Sequence, residues 1–294
     1  LAGKDNSWYR LLRAIAQFLA IALIFGIAYN QDPIYYSPEN QNTKYFHGLA
    51  RAGHGFLRDD WLATTLDPLP VFTALVQFTY AHIHPEYGFY LFYFLIFGGY
   101  VYSLIGIISQ VFDIRRDAPR LLLFCALLLF FHTVHLEVFN VDLGWDLHAG
   151  LAEQYILGPV FQPANFGVFL LFSIYAFLRD RPLLAVVLSA VAATVHPAYF
   201  PSVASLTLAY MMILAWKTRH WKLPLAVGAL SALLVLPVFL YMTLTFQDTT
   251  PELTQQATDI IVNQRIPHHS QPERWLFKAR AYVQIALVAI ALYC

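Results

Sequence analysis

The stretch Tyr87-Gly-Phe-Tyr-Leu-Phe-Tyr-Phe-Leu-Ile-Phe-Gly-Gly-Tyr-Val-Tyr-Ser-Leu-Ile-Gly-Ile-Ile-Ser-Gln-Val-Phe112 contains no charged residue, and Arg115, Arg116 and Arg120 follow it closely. A helix needs about 20 mostly apolar residues to cross the hydrocarbon layer. This stretch therefore reads as a membrane span, and the arginines put its far end in the cytoplasm by the positive-inside rule. The pattern recurs on both sides of it. Leu11 to Tyr29 is preceded by Lys4, Arg10 and Arg13, which place the N-terminus in the cytoplasm. Leu121 to Phe139 follows the central run. Phe166 to Leu178 leads into Arg179 and Arg181, Pro182 extends to about Tyr199, and Pro201 to Trp216 leads into Lys217, Arg219 and Lys222. Leu223 to Phe246 and Trp275 to Cys294 complete a set of about eight spans.

Composition leads to the same class. The 294 residues are 59% hydrophobic and 12% charged, whereas about a quarter of a soluble domain is charged. A chain this long with so few charges cannot cover a water-facing surface. The expected fold is an all-α, polytopic transmembrane bundle forming one domain over 1–294, with a first extracytoplasmic loop at 30–85 that carries interfacial helices. The formal net charge is zero and no basic cluster is interleaved with aromatics, which argues against a nucleic-acid partner. Cys125 and Cys294 both lie in apolar runs and suggest neither a metal site nor a disulfide framework. The start at Leu1 and the end within an apolar run point to an N-terminal fragment of a longer chain, its first run a retained signal anchor.

Two segments depart from a simple count. Pro70 to His84 is apolar but short, and if it spanned, every later basic loop would move outside. It therefore reads as an interfacial or re-entrant helix, with a short tilted span as the alternative. His196-Pro197-Ala198-Tyr199-Phe200-Pro201 joins the fifth and sixth runs, and two prolines so close break a helix. Backbone freed there must face protein or water.

This topology sorts the remaining polar residues. Lys44, Arg51, Arg58, Arg265, Arg274, Lys278 and Arg280 are the outer cations, while only Asp5, Asp113, Asp117 and Asp180 among the acids lie inside. Every histidine except His220 falls outside or in the outer half. The acids and histidines were not used to set the topology, so their asymmetry is an independent sign that the reactive chemistry sits on one face.

Three outer segments carry candidates. In the first, Tyr45, Leu49, Ala52 and Phe56 recur at near-helical spacing, as in an amphipathic helix on the outer surface, and Arg58-Asp59-Asp60-Trp61 follows. The pair Asp59 and Asp60 can supply a general base or hold a divalent cation. A solvated turn with Arg58 paired to one acid is the plainer reading. In the second, Asp146 and Glu153 would share a helical face, with His148 between them and His132, His135 and Glu137 just before. No familiar zinc spacing is complete there. The third holds Arg265, His268, His269, Arg274, Lys278 and Arg280 against the positive-inside trend. These either reach toward headgroups or hold a lipid-linked phosphate. Walker, dinucleotide, Gly-x-Ser-x-Gly and His-Glu-x-x-His motifs are absent from the sequence.

Taken together, His47-Gly48 through Asp59-Asp60-Trp61 and Asp67-Pro68 with Pro70-Val71-Phe72, His196-Pro197-Ala198-Tyr199, and Arg265-Ile266-Pro267-His268-His269 with Pro272 and Trp275 resemble a bacterial family of multi-pass membrane proteins of unassigned function. That family in turn looks like a distant branch of the GT-C glycosyltransferases. The resemblance covers about Asn30 to Trp275 and implies an inner-membrane enzyme whose active face lies outside the cytoplasm. It implies a polyprenyl-phosphate-linked sugar donor and an essential acid in the first outer loop, here Asp60 or Asp59. That acid acts as general base or helps hold a divalent cation where one is used. His196, Arg265, His268, His269, Arg274, Lys278 and Arg280 are the substrate-binding candidates by position. Other expectations are a transporter or lipid-handling protein, suggested by the broken hairpin, and a metal binder using the outer histidines.

Overall fold

The computed structural model describes residues 7–29, 41–134, 136–138, 141–142, 156–158, 160–247 and 250–293. Helices joined by turns and short irregular segments make up these residues, with a two-residue antiparallel pairing of Glu137–Val138 with Val141–Asp142. Three helices are long and apolar enough to cross a membrane: Tyr87–Phe112, Pro197–Thr218 and Lys222–Thr245. Leu11–Ile27, Ala118–Thr133, Pro163–Leu178, Pro182–Val195 and Ala281–Tyr293 form shorter apolar helices. The chain divides into two compact units, Leu1–Arg116 with Leu157–Thr245, and Asp117–Ile156 with Phe246–Cys294.

The first unit contains α1 (Ser7–Tyr29), α2 (Gln41–Lys44), α3 (Phe46–Arg51), α4 (Pro70–His82) and α5 (Pro85–Phe112). Its later part contains α7 (Val168–Leu178), α8 (Pro182–Val195), α9 (Phe200–Thr218) and α10 (Lys222–Thr245). Proline opens α4, α5 and α8, where its fixed φ suits the helix and its missing N–H costs nothing. Helix α5 lies between α1 and α7, and glycines permit the approach. A Cβ at Gly98 would lie 2.5 Å from the Ala22 Cβ of α1, and one at Gly99 would lie 2.5 Å from the Phe172 ring of α7. Apolar helices in lipid gain little from burying more carbon, so close packing by small residues and interhelical hydrogen bonds must hold them. Helix α8 buries Ala185, Ser189, Ala190, Ala192 and Ala193. The Ser173 and Tyr210 hydroxyls lie 3.0 Å apart between α7 and α9, and those of Thr207 and Ser231 lie 2.9 Å apart between α9 and α10.

The expected break at His196 is present. Helix α8 ends at Val195, His196 is extended, Pro197–Tyr199 form one 3₁₀ turn, and α9 begins at Phe200. Helix α4 has 13 residues, or about 20 Å at 1.5 Å per residue, well short of a hydrocarbon layer of about 30 Å. It buries Phe72, Thr73, Val76 and Thr79. The amphipathic helix expected from Tyr45 to Phe56 is corrected: α3 stops at Arg51. Gly53 and Gly55 take φ of 76° and 58°, a region glycine enters without steric cost. The turn they make leaves Phe56 exposed rather than on the helix face.

The second unit holds α6 (Ala118–Thr133), α11 (Pro251–Ile260), α12 (Pro267–Ser270) and α13 (Ala279–Tyr293). The third apolar run was expected to continue to Phe139, but α6 ends at Thr133. The β-branched Thr133 and Val134 are poor helix formers, and Val134 turns extended before the short strand pairing.

Candidate functional site

The loop between α3 and α4 is built around Asp67. Its carboxylate is buried, with Oδ1 accepting from Leu69 N at 2.9 Å and from Thr73 Oγ1 at 3.0 Å, while Oδ2 meets Arg51 Nη2 at 3.1 Å. Its backbone carbonyl accepts from Tyr241 Oη of α10 at 2.8 Å. One residue thus holds the turn before α4 to that helix's first turn, ties down the end of α3 and joins the loop to a long apolar helix. Gly48 adds a packing contact, since a Cβ there would lie 2.6 Å from Val76 and 2.9 Å from the Thr73 carbonyl.

Between these anchors lies the acidic pair. Leu57–Asp59 form a 3₁₀ turn, Asp60 is extended, and Leu62–Thr64 form a second turn. Asp60 is half-buried and its Oδ1 accepts from Leu62 N at 2.8 Å, while Asp59 is exposed. Arg58 forms no ion pair with either acid among the described residues. On either side, Phe56 is 82% and Trp61 76% exposed, with Leu62 and Leu66 also outward. Large apolar side chains beside carboxylates suit a water–lipid boundary, where aromatic rings concentrate.

A second feature lies beneath this loop. Leu157, Val160, Phe161, Gln162 and Asn165 are buried in a segment that is largely irregular until the 3₁₀ turn at Pro163–Gly167. Buried backbone outside a regular helix must find partners, and here side chains supply them. The Gly158 carbonyl accepts from Tyr93 Oη at 2.8 Å, and that of Val160 from Asn165 Nδ2 at 3.1 Å. The Phe161 carbonyl accepts from both Gln41 Nε2 at 2.9 Å and Tyr45 Oη at 3.0 Å. The Ala164 carbonyl accepts from Tyr199 Oη at 2.6 Å. Phe161 packs against Phe72 and Phe89, with ring centroids 5.7 and 5.6 Å apart.

His196 sits at the break between α8 and α9, its ring edge-on to Tyr199 at 5.4 Å. Its Nδ1 is buried without a hydrogen-bond partner in the described structure. Burial, and after it the charge of Lys44, pushes the imidazole down to about 4. It is therefore neutral at physiological pH, a polar group held ready for a partner rather than a cation for a phosphate. His47 lies elsewhere in the loop, its Nε2 3.3 Å from the Thr65 carbonyl.

The late basic residues belong to the second unit. Arg265 ends a π-helical turn over Ile261–Arg265, and His268 and His269 follow with ring centroids 4.0 Å apart. Gln271 organises the next turn: it donates from Nε2 to Asn263 Oδ1 at 2.9 Å and accepts from Arg274 Nε at 2.6 Å. Arg265, His268, Arg274 and Lys278 are exposed. Arg280 lies in α13. Asp59, Asp60 and His196 all belong to the first unit.

No family model, curated protein or solved structure matches the chain.

Of the remaining candidates, His135, Trp145, Asp146, His148, Glu153, Gln154 and Tyr155 lie outside the described residues, as does Cys294. His132 has its Nδ1 2.8 Å from the Leu128 carbonyl within α6. Among the described residues no three His, Cys, Asp or Glu side chains gather as a metal site. A divalent cation at Asp59 and Asp60 would have to take its remaining oxygen ligands from substrate and water. Sequence reasoning missed Asp67 as the anchor and missed the donors Gln41, Tyr45, Tyr93, Asn165 and Tyr199. Asp67-Pro68-Leu69-Pro70 carried one usable signal, since an aspartate commonly accepts from the backbone N–H two residues on in a turn, as Asp67 does from Leu69.

Proposed function

We propose that the chain is a GT-C-like membrane glycosyltransferase, moving a sugar from a polyprenyl-phosphate-linked donor to an acceptor on the extracytoplasmic face. In this reading about eight helices span the inner membrane, the N-terminus is cytoplasmic, and the loop at 30–85 lies at the outer interface. The observation that carries it is the setting of Asp59 and Asp60 between exposed Phe56 and Trp61, in a loop fixed to α4 and α10 through Asp67. A base is then held where a lipid-borne donor and a water-borne acceptor meet.

Asp60 is the general base, oriented by the Leu62 N–H. It takes the proton of the acceptor hydroxyl as that oxygen bonds to the anomeric carbon. The bond from that carbon to the donor phosphate oxygen breaks, and the phosphate leaves with the electron pair. Arg265, His268, His269, Arg274, Lys278 and Arg280 are the residues we assign to the phosphate, because it calls for cationic and N–H donors. Neutral His196 is assigned to a substrate hydroxyl.

The test replaces Asp59 and Asp60 singly with Asn in the full chain and measures transfer from a panel of radiolabelled polyprenyl-phosphate sugars in proteoliposomes. Loss of a positioned base costs about 10²- to 10⁴-fold, expected for Asp60→Asn. Undiminished transfer in both variants refutes the assignment. A lipid-handling or transport role is the second reading, favoured by the buried irregular backbone at 160–162, the kind of interruption that lines substrate paths. Substrate flux across the same vesicles with no product formed would establish it instead.

A further inference from the structure

A cavity of about 710 Å³ opens at the opposite, arginine-rich end of the first unit. Its wall is formed by α1, the end of α5, α7 and the start of α8. Arg13, Arg115, Arg179 and Arg181 line it, and among the described residues no acidic one does. The nearby acids are engaged elsewhere: Asp180 holds Lys217 at 2.8 Å and Asp113 holds Arg116 at 3.3 Å. None of the four arginines forms an ion pair among the described residues. Four guanidinium groups around one space repel one another unless an anion joins them.

The polar lining is built rather than incidental. Arg179 Nη1 donates to Tyr175 Oη at 3.4 Å, and the Tyr175 ring meets that of Tyr102 edge-on at 6.0 Å. Gly106 leaves room for the Tyr175 ring, which a Cβ there would touch at 2.7 Å. Arg115 and Arg179 both act electrostatically on Tyr102. The lining also has an apolar part, with Phe172, Leu184 and Leu188. Leu11 of α1 adds to this apolar side, and Ile15 and Leu19 further along the same helix are exposed. An ion dissolved in water has no use for that apolar side, whereas a lipid with a phosphate head and acyl chains matches both parts. The volume falls in the range of small-ligand sites, and basic pockets between membrane helices take anionic headgroups.

We infer that this cavity binds the phosphate headgroup of an anionic phospholipid, with the acyl chains lying along α1 and α8. The site is separate from the acidic pair and stands whether or not the transferase reading does. Guanidinium forks pair with phosphate oxygens two at a time, and four of them favour a head whose phosphate charge no ammonium group offsets, an anionic head over a zwitterionic one.

The test purifies the full chain in detergent and follows retention of phosphatidylglycerol against phosphatidylcholine by native mass spectrometry. Retention should favour phosphatidylglycerol and fall by about fivefold for each arginine removed, hence by more than tenfold in Arg115→Gln/Arg179→Gln. Arg219→Gln/Lys222→Gln removes the same charge from the same end but outside the cavity, and should change retention less than about twofold. Leu184→Trp fills the apolar part with no change of charge and should also lose the lipid, which keeps the test decisive if the double arginine variant folds poorly. Equal losses in the cavity and control variants, or retention in Leu184→Trp, overturn the proposal. Displacement of the lipid by millimolar inorganic phosphate would show a free-phosphate site and overturn the lipid assignment.

Discussion

Removing Asp67 should loosen the loop between α3 and α4 more than any other single side chain in it. The carboxylate is buried, and three donors converge on it: Leu69 N at 2.9 Å, Thr73 Oγ1 at 3.0 Å and Arg51 Nη2 at 3.1 Å. In Asp67→Ala the first two donors lose a charged acceptor, at about 1.5–3 kcal/mol each. The desolvation cost that leaves with the charge offsets part of this, leaving a net loss of about 1–3 kcal/mol. Asp67→Asn keeps Oδ1 as acceptor and loses only the charge facing Arg51, at about 1 kcal/mol. Arg51→Gln strips the cation from a buried carboxylate. That loss is usually about 3–5 kcal/mol, here reduced to about 2 because the Arg51 side chain is 44% exposed and the pair partly hydrated. The double variant Asp67→Asn/Arg51→Gln should be more stable than the sum of the singles predicts, because neither charge is then left alone. Reversible unfolding in mixed micelles, titrated with sodium dodecyl sulfate and followed by tryptophan fluorescence, gives the cycle. Additivity within about 0.5 kcal/mol, or an Asp67→Ala variant as stable as the parent, would refute Asp67 as the anchor.

Two further outcomes follow from the geometry. His196 is held near 4 while an unfolded histidine titrates near 6.5, so the unfolded chain binds the proton more readily between those values. Stability from this group is complete above about pH 6.5 and declines as pH falls toward 4, by up to about 3 kcal/mol; His196→Phe should flatten that part of a pH-stability profile measured in detergent, and an unchanged slope would place the acid sensitivity elsewhere. Gly48→Val would drive side-chain atoms into Val76 and the Thr73 carbonyl, which should cost about 1–3 kcal/mol and speed proteolysis of the 45–69 loop, whereas Gly55→Ala, where a Cβ meets nothing within 4 Å, carries only the strain of its positive φ.

The helices were legible because hydropathy and proline placement are local. The charge-free run at 87–112 is helical over its whole length, and Pro70, Pro85 and Pro182 each open a helix. The break at His196 follows from two prolines five residues or fewer apart, a constraint carried by φ alone. The Tyr45–Phe56 periodicity misled because its spacing is helical while Gly53 and Gly55 turn the chain out of the helix.

What the sequence determined by itself is therefore the apolar helices, their interruptions and the acidic pair beside aromatics, since each depends on neighbours a few residues apart. The tertiary structure alone decided that Gln41, Tyr45, Tyr93 and Tyr199 serve backbone carbonyls at Gly158, Phe161 and Ala164. It also decided that Asp67 anchors the loop to Tyr241, 174 positions away, and that arginines from three separate places in the chain surround one cavity. Those relations join residues far apart in sequence, and a carbonyl that needs a donor leaves no trace in its own side chain. Only the packing of helices against one another brings the donor to it.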